Sequence, residues 1–188
     1  MSDDRPPRTI ISHAPWSGRI MAVRVDRLEL PNGAVVEREA VRHPKIAAVV
    51  ALDEQERVLL VREYRHPAGK TFLQIPSGIR EPGEEAASCA RRELIEETGY
   101  DVRSLEHLAG FYPSPGVSNE FVDLFLGTEL VRVGSPQPEG EQGVLEQLRL
   151  PLKEAVRRVL SGELLDGKTM VGILLCSHRL AAPGGPRR

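Results

Sequence analysis

The sequence predicts an α/β protein in which a mixed sheet carries helices on its faces and follows an N-terminal antiparallel strand element. Three observations support this fold class. Residues 18–43 alternate apolar and polar side chains around an Asn32–Gly33 turn, which is typical of a β-hairpin. The apolar run Ile46–Leu52 predicts a buried strand. Residues 85–98 have the apolar spacing of a helix, and Gly99 is placed to end it.

The remaining elements alternate apolar stretches with turns rich in glycine and proline. After the buried strand we expect a turn, a returning strand and a broken loop that opens into the helix. Two strands joined by the loop PSPG, an acidic loop and a further strand follow. Two amphipathic helices are expected over 151–162 and 169–179. The predicted domain organisation is a flexible tail at 1–16, an N-terminal β element at 17–44, a main domain at 45–180 and a flexible tail at 181–188.

Composition and charge favour one soluble domain with a small appendage. The chain has 188 residues, of which 40% are hydrophobic and 28% charged, and its formal net charge is −2. Such a small charge gives no global attraction to nucleic acid or membranes. Cys89 and Cys176 lack metal-ligand spacing, and we find no signal-peptide pattern and no apolar run long enough for a membrane span. We therefore expect a cytoplasmic protein with no nucleic-acid or membrane partner.

Three like charges crowd one face of the predicted helix near its C-terminal end. Glu93 repels both Glu96 and Glu97 across one helical turn, at a cost of about 0.2–0.5 kcal/mol for each pair. The negative end of the helix dipole adds about 0.3–1 kcal/mol for each carboxylate, and an Arg92–Glu96 pair offsets only part of this. A solvated acidic face and a site for a hard cation such as Mg²⁺, Mn²⁺ or Ca²⁺ are both open, and the energetics favour the cation site.

The other helix face and the preceding loop extend this interpretation. Gly78 and Gly83 permit a tight turn that brings loop carbonyls close to a ligand. The carbonyl of Ser77 would then complete an octahedral shell around a cation. The side chains expected to face the sheet are Ala87, Ala90, Leu94 and Thr98.

Residues 78–100 resemble the signature of the Nudix hydrolases. The matching positions are Gly78, Glu84, Arg92, Glu93, Leu94, Glu96, Glu97 and Gly99. Tyr100 stands where an aliphatic residue is usual, which is a mild departure at a packing position. The resemblance implies an α/β/α sandwich with a mixed sheet, and an enzyme that uses divalent metal to hydrolyse a nucleoside diphosphate linked to another group.

The resemblance also implies roles for individual residues. Glu93 and Glu97 are implied metal ligands, and Glu96 is a further ligand or a group that orients water. Ser77 contributes its carbonyl and Arg92 orients the glutamates. Glu84 is implied to support these ligands or a second metal. We expect Mg²⁺, with Mn²⁺ as the alternative, at two or three ions per site.

Segments outside the signature resemble the ADP-ribose pyrophosphatase subgroup. These segments are LLVREYRHPAGKTFLQIPSG and the stretch around Pro115. They imply hydrolysis of ADP-ribose to AMP and ribose 5-phosphate. One alternative is a diphosphatase for another nucleotide sugar such as GDP-mannose, or for NADH or FAD. A second alternative is a non-catalytic module that senses ADP-ribose or another nucleotide, although such modules usually lack part of the carboxylate set and this chain has all of it.

Several residues outside the helix are candidate substrate contacts in this subgroup. Arg62 and Arg65 leave a strand end with guanidinium groups that suit phosphate oxygens. Tyr64 and Trp16 are candidates for stacking on adenine, and simple packing is the alternative for both. Glu120 is a candidate ribose contact or only the end of a strand. The full set is Arg62, Tyr64, Arg65, Pro115, Glu120 and Trp16.

The proton acceptor and the oligomeric state are also implied by the subgroup. The acceptor is expected in the acidic loop that contains Glu139 and Glu141, and the register of the following strand favours Glu141. A mobile acidic surface loop is the alternative. The N-terminal strands resemble a dimerisation element that exchanges between protomers, so we expect a homodimer. The hairpin could instead fold back on its own chain.

Overall fold

The computed structural model describes residues 5–136 and 146–182, which divide into two compact units. The first unit comprises 5–45 and Tyr112–Phe121, and the second comprises Ile46–Phe111 and the described residues from Val122 onward. The predicted main domain at 45–180 is therefore interrupted. Residues 112–121 belong to the first unit because the Val41 N–H donates to the Val117 carbonyl at 2.7 Å and the Asn119 N–H donates to the Val41 carbonyl at 3.2 Å.

The first unit contains a three-stranded antiparallel sheet in the order β1-β2-β3. Its strands are β1 (Arg8–Ser17), β2 (Ala22–Glu29) and β3 (Val35–Arg42). The predicted hairpin is confirmed, and its turn places Gly33 at a φ of 80° with the Ala34 N–H donating to the Asn32 side chain at 3.0 Å.

The predicted flexible tail at 1–16 is wrong for the residues that form β1. All ten residues of β1 are exposed. Because the strand has no buried face, its sequence lacks the alternation of apolar and polar residues that would predict it. Backbone pairing with β2 defines this strand instead, with partners such as Arg8 with Glu29 and Ser12 with Asp26.

The second unit is built on a seven-stranded mixed sheet. The main order is β10-β5-β4-β9-β8, with β6 paired to β5 and β7 paired to β4. The sheet is mixed because β4 runs parallel to β9 while the other pairs are antiparallel. The strands are β4 (Ile46–Leu52), β5 (Arg57–Arg65), β6 (Lys70–Gln74), β7 (Ser77–Ile79), β8 (Tyr100–Phe111), β9 (Val122–Arg132) and β10 (Glu146–Pro151).

Three α-helices cover the two faces of this sheet within the described residues. They are α1 (Ala86–Thr98), α2 (Leu152–Leu160) and α3 (Gly167–Ala181). Strand β4 is buried on both sides, which explains its unbroken apolar run. Its residues Ala47, Val49 and Ala51 pack with α1. Its residues Ala48, Val50 and Leu52 pack with α2 and α3. The expected α/β/α layering is confirmed.

Helix α1 begins within one residue of its predicted start and ends where predicted. Gly99 follows it at a φ of 73° and donates its N–H to the Ile95 carbonyl at 2.7 Å. Leu94 and Thr98 are fully buried, as expected. The expectation for Ala87 is wrong: Ala87 is exposed, and Ala86 packs against the core in the first turn instead.

Among the described residues no helix is both long and apolar enough to cross a membrane.

Candidate active site

The carboxylate of Glu93 lies against the backbone of β7 at Gly78. A Cβ built at Gly78 would lie 2.0 Å from Cδ of Glu93 and 2.1 Å from its Oε1. Gly78 is not among the positive-φ glycines and pairs with Ala47 of β4, so it does not form the tight turn that the sequence predicted. Its function is to let helix and strand approach closely. The expected turn occurs at Gly83, where φ is 82°.

Arg92 is the common partner of three carboxylates around this contact. Its guanidinium donates to Glu84 at 3.0 and 3.1 Å, to Glu93 at 2.7 Å and to Glu96 at 3.1 Å. A fifth bond reaches the carbonyl of Ile79 at 3.0 Å. The predicted pairing of Arg92 with Glu96 is confirmed. Hydrogen bonding from Arg92 is the main reason that the pKa of Glu84 falls to about 2.

We expect Arg92→Lys to lower the free energy of unfolding by about 1–3 kcal/mol, since a lysine ammonium cannot reproduce the planar fork that bonds several acceptors. Arg157→Lys on α2 is the matched control, because Arg157 also contacts two glutamates but its side chain is 56% exposed. The control should lose less than about 1 kcal/mol. Urea unfolding of both variants measures the difference. Equal losses would show that the Arg92 contacts add nothing special to stability.

Glu97 lies one turn beyond Glu93 in a buried and acidic setting. Its Oε2 is buried and has no hydrogen-bond partner in the described part of the chain. The pKa of Glu97 is raised from 4.5 to about 8, mainly by burial and then by the charges of Glu63 and Glu93, while Lys168 and Arg65 oppose the rise. Burial likewise raises the pKa of Glu93, and Arg92 opposes that rise. A buried carboxylate oxygen without a partner is unfavourable in the isolated chain.

The stability of the metal-free protein should therefore fall as pH rises. Between pH 4.5 and about 8 the folded chain retains a proton on Glu97 that the unfolded chain releases. Each pH unit in this range costs up to about 1.4 kcal/mol of unfolding free energy. Calorimetry in the presence of a chelator would measure the slope. In Glu97→Gln the slope should flatten, and an identical slope in the variant would contradict the assignment.

A buried polar network lies beside Glu97. The side chain of Gln74 is fully buried; it accepts from Arg65 at 3.2 Å and from Lys168 at 3.4 Å, and it donates to Glu63. Arg65 also pairs with Glu63 at 2.8 Å. Sequence reasoning missed Gln74, Glu63 and Lys168. One available signal was Lys168 itself, a cation in the first turn of a helix, where the dipole disfavours positive charge.

The two arginines predicted to act together lie in different surroundings. Arg65 points to the same face of β5 as Glu63 and contacts Gln74. Arg62 instead pairs with Glu146 of β10 at 2.8 Å. Residues three apart on a strand point to opposite faces, so Arg62 and Arg65 diverge. Tyr64 lies on the same strand between them.

The remaining candidates are distributed over both units and beyond the described residues. Ser77 is buried at the start of β7, opposite Ala48 of β4. Trp16, Pro115 and Glu120 belong to the first unit, and their roles as substrate contacts stay predictions. Glu139 and Glu141 lie outside the described residues, and so does the C-terminal stretch 183–188.

The carboxylates of α1 are the candidate ligands for a cation. Within residues 5–136 and 146–182 no group of three or more His, Cys, Asp or Glu side chains is arranged to hold a metal ion. Arg92 engages an oxygen of Glu93 and an oxygen of Glu96. Two observations nevertheless fit a divalent cation. One oxygen of Glu97 has no hydrogen-bond partner among the described residues, and the carboxylate of Glu93 is held close to the backbone of Gly78. An oxygen-coordinated cation would supply the partner that Glu97 lacks.

The chain is similar to known proteins over most of its length. The NUDIX domain family matches residues 41–168. An ADP-ribose pyrophosphatase from Bacillus subtilis (strain 168) is 37% identical over 166 residues, covering 88% of this chain and 90% of that protein. An ADP-ribose pyrophosphatase from Mycobacterium tuberculosis is 35% identical over 167 residues, covering 88% and 81%.

A solved structure described as an ADP compounds hydrolase shares the fold. It superimposes with a TM-score of 0.82, covering 97% of this chain and 98% of that chain, at 22% sequence identity. The resemblance found in residues 78–100 is thus confirmed over most of the chain. The protein therefore belongs to the Nudix hydrolase family.

Proposed function

We propose that this enzyme hydrolyses the diphosphate of ADP-ribose to AMP and ribose 5-phosphate. The observation that carries the reaction type is the buried carboxylate of Glu97, which has one unpartnered oxygen among the described residues and lies one turn from Glu93. Such a group is stable as an anion only beside a cation, and a diphosphate needs cations for attack by water. The similarity to two ADP-ribose pyrophosphatases over 88% of the chain supports the substrate.

Nudix hydrolases depend on divalent metal, and the donor set here fits Mg²⁺ or Mn²⁺. Glu93, Glu97 and the carbonyl of Ser77 would hold the ions, at two or three per site. Bound metal supplies charge neutralisation for the diphosphate and a more acidic water. The chain itself fixes the carboxylates: Gly78 makes room for Glu93, and Arg92 holds Glu93 and Glu96 in place. Glu96 is a further metal ligand or orients water.

Substrate contacts complete the proposal. Arg65 binds diphosphate oxygens, because its guanidinium is already oriented by Glu63 and Gln74. Arg62 is a second candidate for binding the diphosphate, which requires its ion pair with Glu146 to break. Tyr64 and Trp16 are proposed for adenine, Glu120 for the ribose, and Pro115 as a further substrate contact. The proton acceptor is proposed to be Glu141, with Glu139 as the alternative.

We also propose a cytoplasmic homodimer. The first unit exposes several large apolar side chains, which favours association through its sheet. These are Ile10, Ile11, Trp16, Ile20, Met21 and Val35, each 43–53% exposed. Light scattering should give about twice the monomer mass of 20.8 kDa. A monomer at micromolar concentration would contradict the dimer, and with it the exchange of N-terminal strands between protomers.

A substrate panel tests the proposed reaction. ADP-ribose, GDP-mannose, NADH and FAD are each incubated with enzyme and Mg²⁺ or Mn²⁺, and a phosphatase that does not attack diphosphates converts the released nucleoside monophosphate to phosphate. We expect ADP-ribose to have one of the highest values of kcat/KM. A clear preference for GDP-mannose or a dinucleotide would contradict ADP-ribose as the substrate and would still support metal-dependent hydrolysis of a diphosphate. Tight binding of ADP-ribose without turnover of any substrate would identify a sensing module.

A further inference from the structure

Gln74 is a neutral side chain placed among charged groups with no exposure to solvent. Its Oε1 accepts hydrogen bonds from Nε of Arg65 at 3.2 Å and Nζ of Lys168 at 3.4 Å. Its Nε2 donates to Oε2 of Glu63. Cations on the oxygen side and an anion on the nitrogen side allow only one orientation of the amide. The buried amide is therefore a fixed junction between β5, β6 and α3.

Lys168 occupies a position that is unfavourable for helix stability. It lies in the first turn of α3, where the helix dipole repels cations. Its side chain is only 12% exposed, although lysine is rarely buried unless it is paired. Asp166, the N-cap of α3, pairs with it at 3.0 Å. Lys168 therefore links Asp166 to Gln74, to which it donates at 3.4 Å.

The same network faces the carboxylate of Glu97. Gln147 of β10, the strand next to β5, donates to the backbone carbonyl of Glu97 at 3.1 Å, which places Glu97 close to β5. The charges of this network act on the Glu97 carboxylate. Glu63 is restrained at both oxygens, by Arg65 at 2.8 Å and by Gln74. Arg65 is restrained at Nε and at Nη1. The orientation of this pair beside Glu97 depends on Gln74.

We propose that Gln74 is a positioning residue for the diphosphate site: its buried amide, anchored by Lys168, holds Arg65 and Glu63 as an oriented pair beside Glu97. This inference rests on the proposed function, in which Arg65 binds diphosphate oxygens. Gln74 and Lys168 touch neither substrate nor metal in this account. They act by limiting the conformations of Arg65.

A purely structural role would be docking of α3, and other residues already perform it. Thr169 is fully buried, and its hydroxyl accepts the backbone N–H of Ile75 at 2.9 Å. Asp166 accepts the backbone N–H of Thr169 at 3.0 Å. Thr169→Val is therefore a matched control that weakens docking of the same helix end while leaving Gln74 and Lys168 in place.

Steady-state kinetics with ADP-ribose tests the proposal. In Gln74→Met and Lys168→Met we expect KM to rise about tenfold with kcat within about threefold, since Arg65 binds the diphosphate in the ground state and the transition state alike. The double variant should have a KM no higher than that of Gln74→Met, because both act through one amide. Thr169→Val should lower Tm and leave KM unchanged. Unchanged KM in both single variants would overturn the proposal.

A readout independent of activity separates this inference from the proposed function. The ¹⁵N-labelled Nε–H signal of Arg65, identified by its loss in Arg65→Lys, should shift and exchange faster with water in Gln74→Met. A smaller change in the same direction is expected in Lys168→Met, which carries the test if Gln74→Met does not fold. If the wild type does not cleave ADP-ribose but the Arg65 signal changes in Gln74→Met, the proposed function is contradicted and the positioning role stands. An unaltered signal in either folded variant would refute the positioning role, whatever the substrate.

Discussion

Replacing Glu97 with glutamine lowers kcat for diphosphate hydrolysis at least about a thousandfold, because the amide cannot provide the anionic oxygen that a divalent cation requires. The same change leaves the free energy of unfolding of the metal-free protein at pH 8 unchanged or higher. The native carboxylate is buried beside two other acids and has one unpartnered oxygen within the described residues, so its charge destabilises the fold. Kinetics with Mg²⁺ and calorimetry with a chelator measure the two effects.

Glu96→Gln is the control for this result. Glu96 is on the same helix, but its side chain is 31% exposed and pairs with Arg92 at 3.1 Å. We expect its kcat to fall by about tenfold or less. If Glu97→Gln retained more than a tenth of wild-type kcat, the Glu97 carboxylate would not belong to the reaction site. A loss of stability in the same variant would contradict the account of the burial of Glu97.

Gly78→Ala should reduce kcat/KM by about a hundredfold and lower the free energy of unfolding by about 1–3 kcal/mol. The new methyl group would meet the Glu93 carboxylate at 2.0 Å, a distance that no real contact allows. Movement of the strand is resisted by the pairing of β7 with the central strand β4. Glu93 must therefore leave its seat and its bond with Arg92. Steady-state kinetics and urea unfolding measure both consequences.

Gly134→Ala provides the comparison. No described atom lies within 4 Å of a Cβ at Gly134, and this glycine does not have positive φ. Its kinetics and stability should match those of the wild type. A Gly78→Ala variant that behaved like Gly134→Ala would show that the close contact of Glu93 with β7 is unimportant.

The local parts of the site follow from the sequence, and the contacts between distant segments do not. Helical spacing alone groups Glu93, Glu96 and Glu97 and places the helix end at Gly99. The sequence predicts a turn at Gly78, because a glycine shortly before a helix usually forms one. Its real partner, Glu93, is known only when helix and strand are packed together.

The network around Gln74 shows the same limit over a longer range. Lys168 follows Gln74 by 94 residues, and no periodic pattern links a buried amide to a lysine at that separation. The divergence of Arg62 and Arg65, in contrast, could have been predicted. Once 58–62 is taken as a strand and extended by three residues, alternation already places the two arginines on opposite faces.

Titration of the metal-free protein with Mn²⁺, followed by electron paramagnetic resonance, tests the central claim most directly. The claim is that the carboxylates of Glu93 and Glu97 hold a divalent cation. We predict that the wild type binds Mn²⁺ and that Glu93→Gln and Glu97→Gln each weaken binding at least about a hundredfold. Wild-type affinity for Mn²⁺ in both variants would contradict the claim.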